Sequence, residues 1–150
     1  MDLILWRHAE AEDGMPDSER VLTAKGIRQA ERMAKWLRRR LPEDALVLAS
    51  PAKRARQTAR ALTPDFKIVD EIGTQAAPED ILLAAGWPAK DGTVVVTGHQ
   101  PTLGATAALL LTGRKEEWGL KKGAILWIAR RSRAGETSTQ LRAALAPDLL

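Results

Sequence analysis

The two histidines of this 150-residue chain each follow a short apolar run. Arg7 and His8 follow the first run, Gly98 and His99 follow the fourth, and Arg54 stands shortly after the second. A guanidinium group can bind two phosphate oxygens at once, and it stays charged at any ordinary pH. Imidazole, with a free pKa of about 6.5, is largely neutral near pH 7 and can act as a nucleophile. These residue types predict phosphoryl-transfer chemistry.

Other phosphate chemistries are excluded by what the sequence lacks. The chain has no cysteine, which rules out thiolate catalysis, thiolate metal sites and disulfides. It has no glycine-rich phosphate loop ending in Gly-Lys-Ser or Gly-Lys-Thr and no Asp-x-Asp pair. Glu10 and Glu12, without further ligands, make a poor metal site. We therefore expect neither a metal nor another cofactor.

The elements that would position these residues alternate along the chain. Of the four apolar runs, the first, second and fourth are nearly continuous, as in strands covered on both faces. Two further strands are predicted to pair in antiparallel fashion through a turn at Arg133–Ser138. The pattern predicts one α/β domain over residues 1–150, a three-layer α/β/α fold with a mostly parallel central sheet. The six predicted strands are Leu3–Trp6, Ala45–Ala49, Lys67–Asp70, Thr93–Thr97, Ala124–Ala129 and Thr139–Leu145.

Four helices are predicted between the strands. Thr23 is the expected N-cap of the first, Ser50–Pro51 opens the second, Pro78 opens the third and Gln100–Pro101 opens the fourth, through about Leu111. The inner stripe of the first helix is predicted to be Ile27, Ala30, Met33, Ala34 and Leu37, and that of the second Ala55, Ala59 and Leu62.

The candidate residues occupy equivalent places in this pattern. In an open α/β sheet, ligands bind outside the carboxyl ends of the strands. Glu71, which follows the third run, adds a carboxylate to the two arginines and two histidines. All five side chains are therefore expected at one crevice.

Three sequence motifs resemble those of the histidine phosphatase superfamily, also called phosphoglycerate mutase-like. Leu3-Ile-Leu-Trp-Arg-His-Ala-Glu resembles its opening strand and Arg-His motif. Ser50-Pro-Ala-Lys-Arg-Ala-Arg-Gln-Thr-Ala resembles the motif that supplies a second phosphate arginine, here Arg54. Thr97-Gly-His-Gln-Pro-Thr-Leu resembles the motif that supplies the second histidine, here His99, with Gln100 where the family often has Asn.

Two further stretches narrow the resemblance. Arg7-His-Ala-Glu-Ala, Leu22-Thr-Ala-Lys-Gly and the short total length are similar to the SixA-type phosphohistidine phosphatases, small bacterial members of the superfamily. Mutase-type members insert a long segment after the third strand. Here only 28 residues lie between Asp70 and His99 (99 − 70 − 1), which argues against a mutase.

The resemblance implies a role for each candidate. His8 would attack phosphorus and carry the phosphoryl group, Arg7 and Arg54 would bind its oxygens, and His99 would donate to one of them. Glu71 would protonate a leaving group, or it is a solvated loop acid. An imidazole leaving group needs such an acid less than an alkoxide does.

The predicted function is a metal-independent phosphatase acting on phosphohistidine of a phosphorelay-type protein partner. The alternatives are a phosphomonoesterase for a phosphosugar, nucleotide or polyphosphate, and a phosphate-binding module without catalysis. The segment Ala9–Thr23 either borders the site and selects the substrate or is a solvated loop. It contains five acids, Glu10, Glu12, Asp13, Asp17 and Glu19, against Arg20 alone.

Composition sets the remaining expectations. The formal charge is +4, and the basic clusters Arg38–Arg40, Lys121–Lys122 and Arg130–Arg133 lack interleaved aromatic residues, so we predict solvated faces rather than nucleic-acid binding. No apolar run approaches the roughly 20 residues that span a bilayer, and no signal peptide is evident. We expect a cytoplasmic monomer that binds no membrane.

Overall fold

A six-stranded sheet forms the centre of the computed structural model, which describes residues 1–150. The strand order is β3-β2-β4-β1-β5-β6; β3, β2, β4 and β1 run parallel, whereas β5 and β6 join antiparallel. The predicted α/β fold with a mostly parallel sheet is confirmed. The strands are β1 (Asp2–Arg7), β2 (Leu46–Ala49), β3 (Lys67–Ile68), β4 (Thr93–Gly98), β5 (Ile125–Arg133) and β6 (Glu136–Leu145).

Helices cover both faces of this sheet, and two separate cores result. On one face, Ile4 and Trp6 pack against α1 (Ala24–Arg38) and α2 (Lys53–Leu62). On the other, Leu3 and Leu5 pack with side chains of α3 (Pro78–Ala85) and α4 (Thr102–Thr112). Successive strand residues point to opposite faces, so a run of apolar residues such as β1 serves both cores.

Helix α1 begins where the sequence predicts. The Thr23 side chain accepts a hydrogen bond from the main-chain amide of Gly26 at 2.9 Å. Ile27, however, is exposed instead of lying in the inner stripe. The buried position belongs to Gly26, because a Cβ there would collide with the carbonyl of Glu10. The first turn of α1 therefore lies directly on the segment that follows β1.

Helix α2 begins later than predicted. Ser50 is not its N-cap; Ala52 is, and the helix starts at Lys53. The reason is that the amide of Ser50 still donates to the carbonyl of Thr97, 3.0 Å away, and so extends the pairing between β2 and β4. The Ser50 hydroxyl is thereby left for other contacts.

The antiparallel hairpin forms as predicted but with longer strands. Only Ala134 and Gly135 remain between β5 and β6, and both have positive φ angles, 53° and 81°. Such a two-residue turn matches the twist of paired strands. The third predicted strand is shorter than expected, since a 3₁₀ turn at Asp70–Ile72 follows soon after β3. None of the helices combines the length and apolar character that crossing a bilayer requires.

Candidate active site

The site lies at the carboxyl ends of three adjacent strands. β1 and β2 flank β4, and all three run parallel. Arg7 pairs with Gly98 in the register of β1 and β4, so the next residues, His8 and His99, emerge side by side. The ring centroids of these two histidines lie 5.2 Å apart, with planes inclined by 58°.

His8 is held through both its main chain and its ring. Its amide donates to the carbonyl of Gly98 at 3.0 Å, and ring nitrogen Nδ1 lies 2.8 Å from the carbonyl of Ala9. A carbonyl oxygen only accepts hydrogen bonds, so Nδ1 carries the proton and Nε2 keeps its lone pair. The ring is thus oriented with Nε2 free of that contact.

Arg7 is fixed by the segment that leads into β5. Its Nη1 donates to the carbonyl of Leu120 at 2.7 Å, while Nε is buried without a hydrogen-bond partner. The amide of Gly123 donates to the carbonyls of Arg7 and His8, each at 3.1 Å. Residues 120–123 therefore form one wall of the site, and Arg7 retains donors for an anion.

The ring of His99 lies next to a serine hydroxyl group. Its Nε2 lies 2.7 Å from Oγ of Ser50, and both residues are buried. The same hydroxyl oxygen accepts a hydrogen bond from the amide of Ala52 at 3.2 Å. Ser50 therefore orients the second imidazole and is part of the site.

Arg54 projects from the first turn of α2 and is almost fully buried, with 4% of its surface exposed. Its Nη1 donates to the carbonyl of Asp17 at 2.9 Å, and Nη2 lies 3.1 Å from Asp17 Oδ2. Its Nε is buried without a partner. One helical turn on, Thr58 Oγ1 donates to the carbonyl of Arg54 and accepts from the amide of Ala9.

The electrostatics of the site favour neutral imidazoles at pH 7. The pKa of His8 is lowered to about 4, mainly by burial and also by the charges of Arg54 and Arg7, against an upward effect of the Ala9 carbonyl. Burial also lowers the pKa of His99 to about 3, assisted by His8 and Arg54. Two positive guanidiniums next to two uncharged rings make a site prepared for an anion.

Glu71 stands apart from the other four predicted residues. It lies in the 3₁₀ turn at Asp70–Ile72, is exposed and forms no hydrogen bond with Arg7, His8, Arg54 or His99. It lines a cavity of about 480 Å³ that reaches the site through Ser50 and Asp17. Four acids and no basic residue line this cavity, namely Asp17, Asp70, Glu71 and Asp80.

Sequence reasoning missed three contributors to the site. The sequence predicts a helix cap at Ser50, and its contact with His99 depends on strand register that no local pattern reveals. Asp17 was one acid among five in its segment, with nothing to single it out. Thr58 was recognisable only as a neighbour of Arg54 on one helix face. The structure contains no group of three or more His, Asp or Glu side chains suited to hold a metal ion.

Comparison with known proteins agrees with this geometry. A family model described as histidine phosphatase superfamily (branch 1) matches residues 3–76. An uncharacterized protein of Mycobacterium tuberculosis is 35% identical over 109 residues, which cover 69% of this chain and 68% of that protein. An uncharacterized protein of a Picosynechococcus species is 32% identical over 137 residues, covering 84% and 83%.

A solved structure extends the likeness to the whole chain. The structure of the protein histidine phosphatase SixA complexed with tungstate is 25% identical, covers 99% of both chains and superimposes with a TM-score of 0.81. The resemblance drawn from the three sequence motifs is thereby confirmed. The chain belongs to the histidine phosphatase superfamily.

Proposed function

We propose that the chain is a phosphatase whose nucleophile is His8 and whose substrate is phosphohistidine on a protein. The observation that carries the proposal is the meeting of two neutral imidazoles, 5.2 Å apart, with two guanidiniums. A neutral imidazole has a lone pair to donate, and the guanidiniums compensate the negative charge of the phosphoryl oxygens.

The reaction proceeds in two displacements. Nε2 of His8 forms a bond to phosphorus while the bond from phosphorus to the substrate's imidazole nitrogen breaks, and that nitrogen takes a proton. Water then attacks phosphorus, the bond to Nε2 breaks and inorganic phosphate leaves. The Ala9 carbonyl, 2.8 Å from Nδ1, accepts a stronger hydrogen bond as the ring becomes cationic, which stabilises the phosphorylated intermediate.

The surrounding groups stabilise the transferred phosphoryl group. Arg7 and Arg54 each keep a buried Nε–H without a partner. A dianion bound between them raises the pKa of His99, which then donates as an imidazolium. The Ser50 hydroxyl, 2.7 Å from Nε2 of His99, orients this ring. Because these groups supply the positive charge, we propose that no metal ion takes part in the reaction.

The acidic cavity beside the site supports phosphohistidine as the substrate. A leaving group entering this space meets Asp17, Asp70 and Glu71 and no cation. Carboxylates repel the additional phosphates of polyphosphate and of nucleotides that carry more than one, whereas they attract an imidazole that gains a proton. Glu71, exposed at the mouth, is proposed to receive or supply that proton through solvent. The likeness to the protein histidine phosphatase SixA supports the same substrate class.

A side-by-side turnover assay tests the proposal. The substrates are a histidine-phosphorylated protein and a panel of phosphosugars, nucleotides and polyphosphate, with and without EDTA. We expect turnover of the phosphoprotein to exceed that of every small phosphoester and to be unaffected by EDTA. A phosphoester turned over as fast as the phosphoprotein would establish the small-molecule alternative.

Two variants test the assigned roles. His8→Ala should abolish turnover while the circular dichroism spectrum is unchanged, and full activity would overturn the nucleophile. Arg54→Ala should lower kcat about a hundredfold to a thousandfold, as removal of other positioned donors does. Arg56→Ala is the matched control, since this arginine lies in the same helix and its side chain forms no hydrogen bond.

A further inference from the structure

A second cavity borders the site on the side of β5, and its lining is basic. It measures about 390 Å³ and is lined by four basic residues, Arg7, Lys25, Lys121 and Lys122, against two acids, Glu10 and Asp148. A neighbouring cavity of about 270 Å³ shares Lys25 with it and adds Arg28 and Arg32. We call the basic track the five residues Lys25, Arg28, Arg32, Lys121 and Lys122.

The basic track is built on two elements that the fold locks to the site. Lys121 and Lys122 belong to the segment whose Leu120 carbonyl binds Arg7 and whose Gly123 amide binds the carbonyls of Arg7 and His8. Helix α1 is anchored by Gln29, whose Oε1 accepts from the amide of Glu10 at 2.9 Å. The track therefore stands in a fixed position relative to Arg7.

The charges of the track are available to a partner. All five side chains are exposed, and only Lys121 forms an ion pair, with Asp148 at 3.1 Å. Lys25, Arg28 and Arg32 are spaced three and four residues apart, so they share one face of α1 and extend over about 10 Å of its length. Like charges on one helix face are unfavourable in the free protein, and an acidic partner would relieve that repulsion.

We propose that the basic track is the docking surface for an acidic face of the substrate protein, next to its phosphohistidine. This inference rests on the proposed function and specifies the partner. Acidic residues on the surface of the substrate protein can lie about 10 Å from its phosphoryl group, which places them next to α1. In polyphosphate or a nucleoside polyphosphate, the phosphates next to the reacting one belong to the leaving group, which enters the acidic cavity and so lies away from the basic track. The acidic cavity on the β2 side repels the same partner face, so only one docking orientation is favourable.

Two synthetic helical peptides test this proposal by binding. Both carry a non-hydrolysable phosphonate analogue of phosphohistidine, and one has three Glu residues on the flanking helix face where the other has three Gln. Fluorescence anisotropy at low salt should show the acidic peptide binding about tenfold tighter or more, as expected for complementary charges. High salt should remove the difference.

Charge-reversal variants locate the effect. Lys25→Glu, Arg28→Glu and Arg32→Glu together should abolish the preference for the acidic peptide and leave turnover of free phosphohistidine unchanged. The matched control reverses Arg39, Lys90 and Arg133, three exposed residues at the opposite end of the sheet, and should keep the preference.

Two results would overturn the docking surface: equal affinity for the two peptides in the natural protein, or a preference that survives reversal of the track. Polyphosphate or an oligonucleotide, added at equal charge concentration, could displace the acidic peptide. If either binds with higher affinity than the peptide, the track belongs to a different polyanion. Absence of phosphohistidine turnover would refute the proposed function and leave this binding comparison intact.

Discussion

Arg54 binds Asp17 at two points, through the main-chain carbonyl at 2.9 Å and through the carboxylate at 3.1 Å. Arg54 is buried, whereas the Asp17 side chain is 52% exposed. Arg20 Nη1 also lies 3.1 Å from the other carboxylate oxygen, and the hydrogen bonds from these two arginines lower the pKa of Asp17. Asp17 is therefore an ionised carboxylate bound to Arg54, the guanidinium that is proposed to bind the phosphoryl group.

Replacing this carboxylate should tighten the binding of anions. Asp17→Asn keeps the shape and a hydrogen-bond acceptor but removes the charge that offsets Arg54. We expect the inhibition constant of vanadate, a mimic of the phosphoryl transition state, to fall several-fold. Glu19→Gln, in the same short 3₁₀ turn, is the control and should leave vanadate inhibition unchanged. Weaker inhibition in Asp17→Asn would mean that the charge of Asp17 is needed to hold Arg54 in place.

Thr58 links Ala9, the neighbour of the proposed nucleophile, to Arg54, the proposed phosphate ligand. Its buried hydroxyl donates to the carbonyl of Arg54 at 2.8 Å and accepts from the amide of Ala9 at 3.0 Å. Thr58→Val leaves that amide without a partner, which should cost about 1–3 kcal/mol of unfolding free energy. Because the Ala9 carbonyl orients His8, kcat should fall while KM changes little.

Thr106→Val provides the comparison for Thr58. Thr106 is equally buried, but its hydroxyl makes a single hydrogen bond, to the carbonyl of Thr102 in its own helix. Steady-state kinetics and urea unfolding of both variants separate the two effects. An equal loss of kcat in the two variants would show that Thr58 acts only through general stability.

Gly26 should not tolerate a side chain. Alanine normally favours a helix over glycine by about 0.5–1 kcal/mol. At position 26, however, a Cβ would overlap the carbonyl of Glu10, so Gly26→Ala should destabilise the protein by about 1–3 kcal/mol. Gly119→Ala, where a Cβ meets nothing within 4 Å, should be neutral in the same urea titration. Stabilisation by Gly26→Ala would contradict the close approach of α1.

The two imidazoles should make the fold sensitive to mild acid. Their pKa values are lowered from 6.5 to about 4 for His8 and about 3 for His99, so below pH 6.5 the unfolded chain binds protons that the folded chain does not. Their contribution to stability is complete above pH 6.5 and is lost as the pH falls toward 4. The slope approaches about 1.4 kcal/mol per pH unit for each ring.

Urea unfolding at about pH 7 and about pH 5 measures this loss. His8→Gln and His99→Gln should each remove roughly half of the difference, since one titrating ring remains. Asp2 and Asp17, whose pKa values are also lowered, lose their contribution only below their unfolded value of 3.8 and leave this interval undisturbed. A double variant with the pH sensitivity of the natural protein would refute the assignment.

The sequence revealed the sheet because its central strands are buried on both faces. Strands such as β1 and β4 are nearly continuous runs of apolar residues, so the sequence shows where each strand ends. The residues that follow them could therefore be placed at the carboxyl edge of the sheet. That reasoning placed Arg7, His8, Arg54, His99 and Glu71 together, although Glu71 lies in the neighbouring cavity, apart from the other four. It depended only on strand direction, which the alternation of strands and helices determines.

What escaped prediction depends on contacts between distant segments. Helical spacing placed Ile27 inward, and only the proximity of Glu10 to Gly26 explains why it points outward. Ser50 next to Pro51 is a common helix start, and only the hydrogen bond from its amide to Thr97 of β4 keeps it out of the helix. The position of Glu71 at the cavity mouth follows from a 3₁₀ turn whose sequence carries no strong signal.

Gln100 joins α4 to the wall that holds Arg7. Its Oε1 accepts from the amide of Gly104, and its Nε2 donates to the carbonyl of Trp118 at 2.7 Å, two residues before Leu120. Asn, which is common at this position of the related motif, is one methylene group shorter and so reaches less far. Gln100→Asn should therefore break one of these two main-chain contacts and uncouple α4 from the stretch that leads to Leu120.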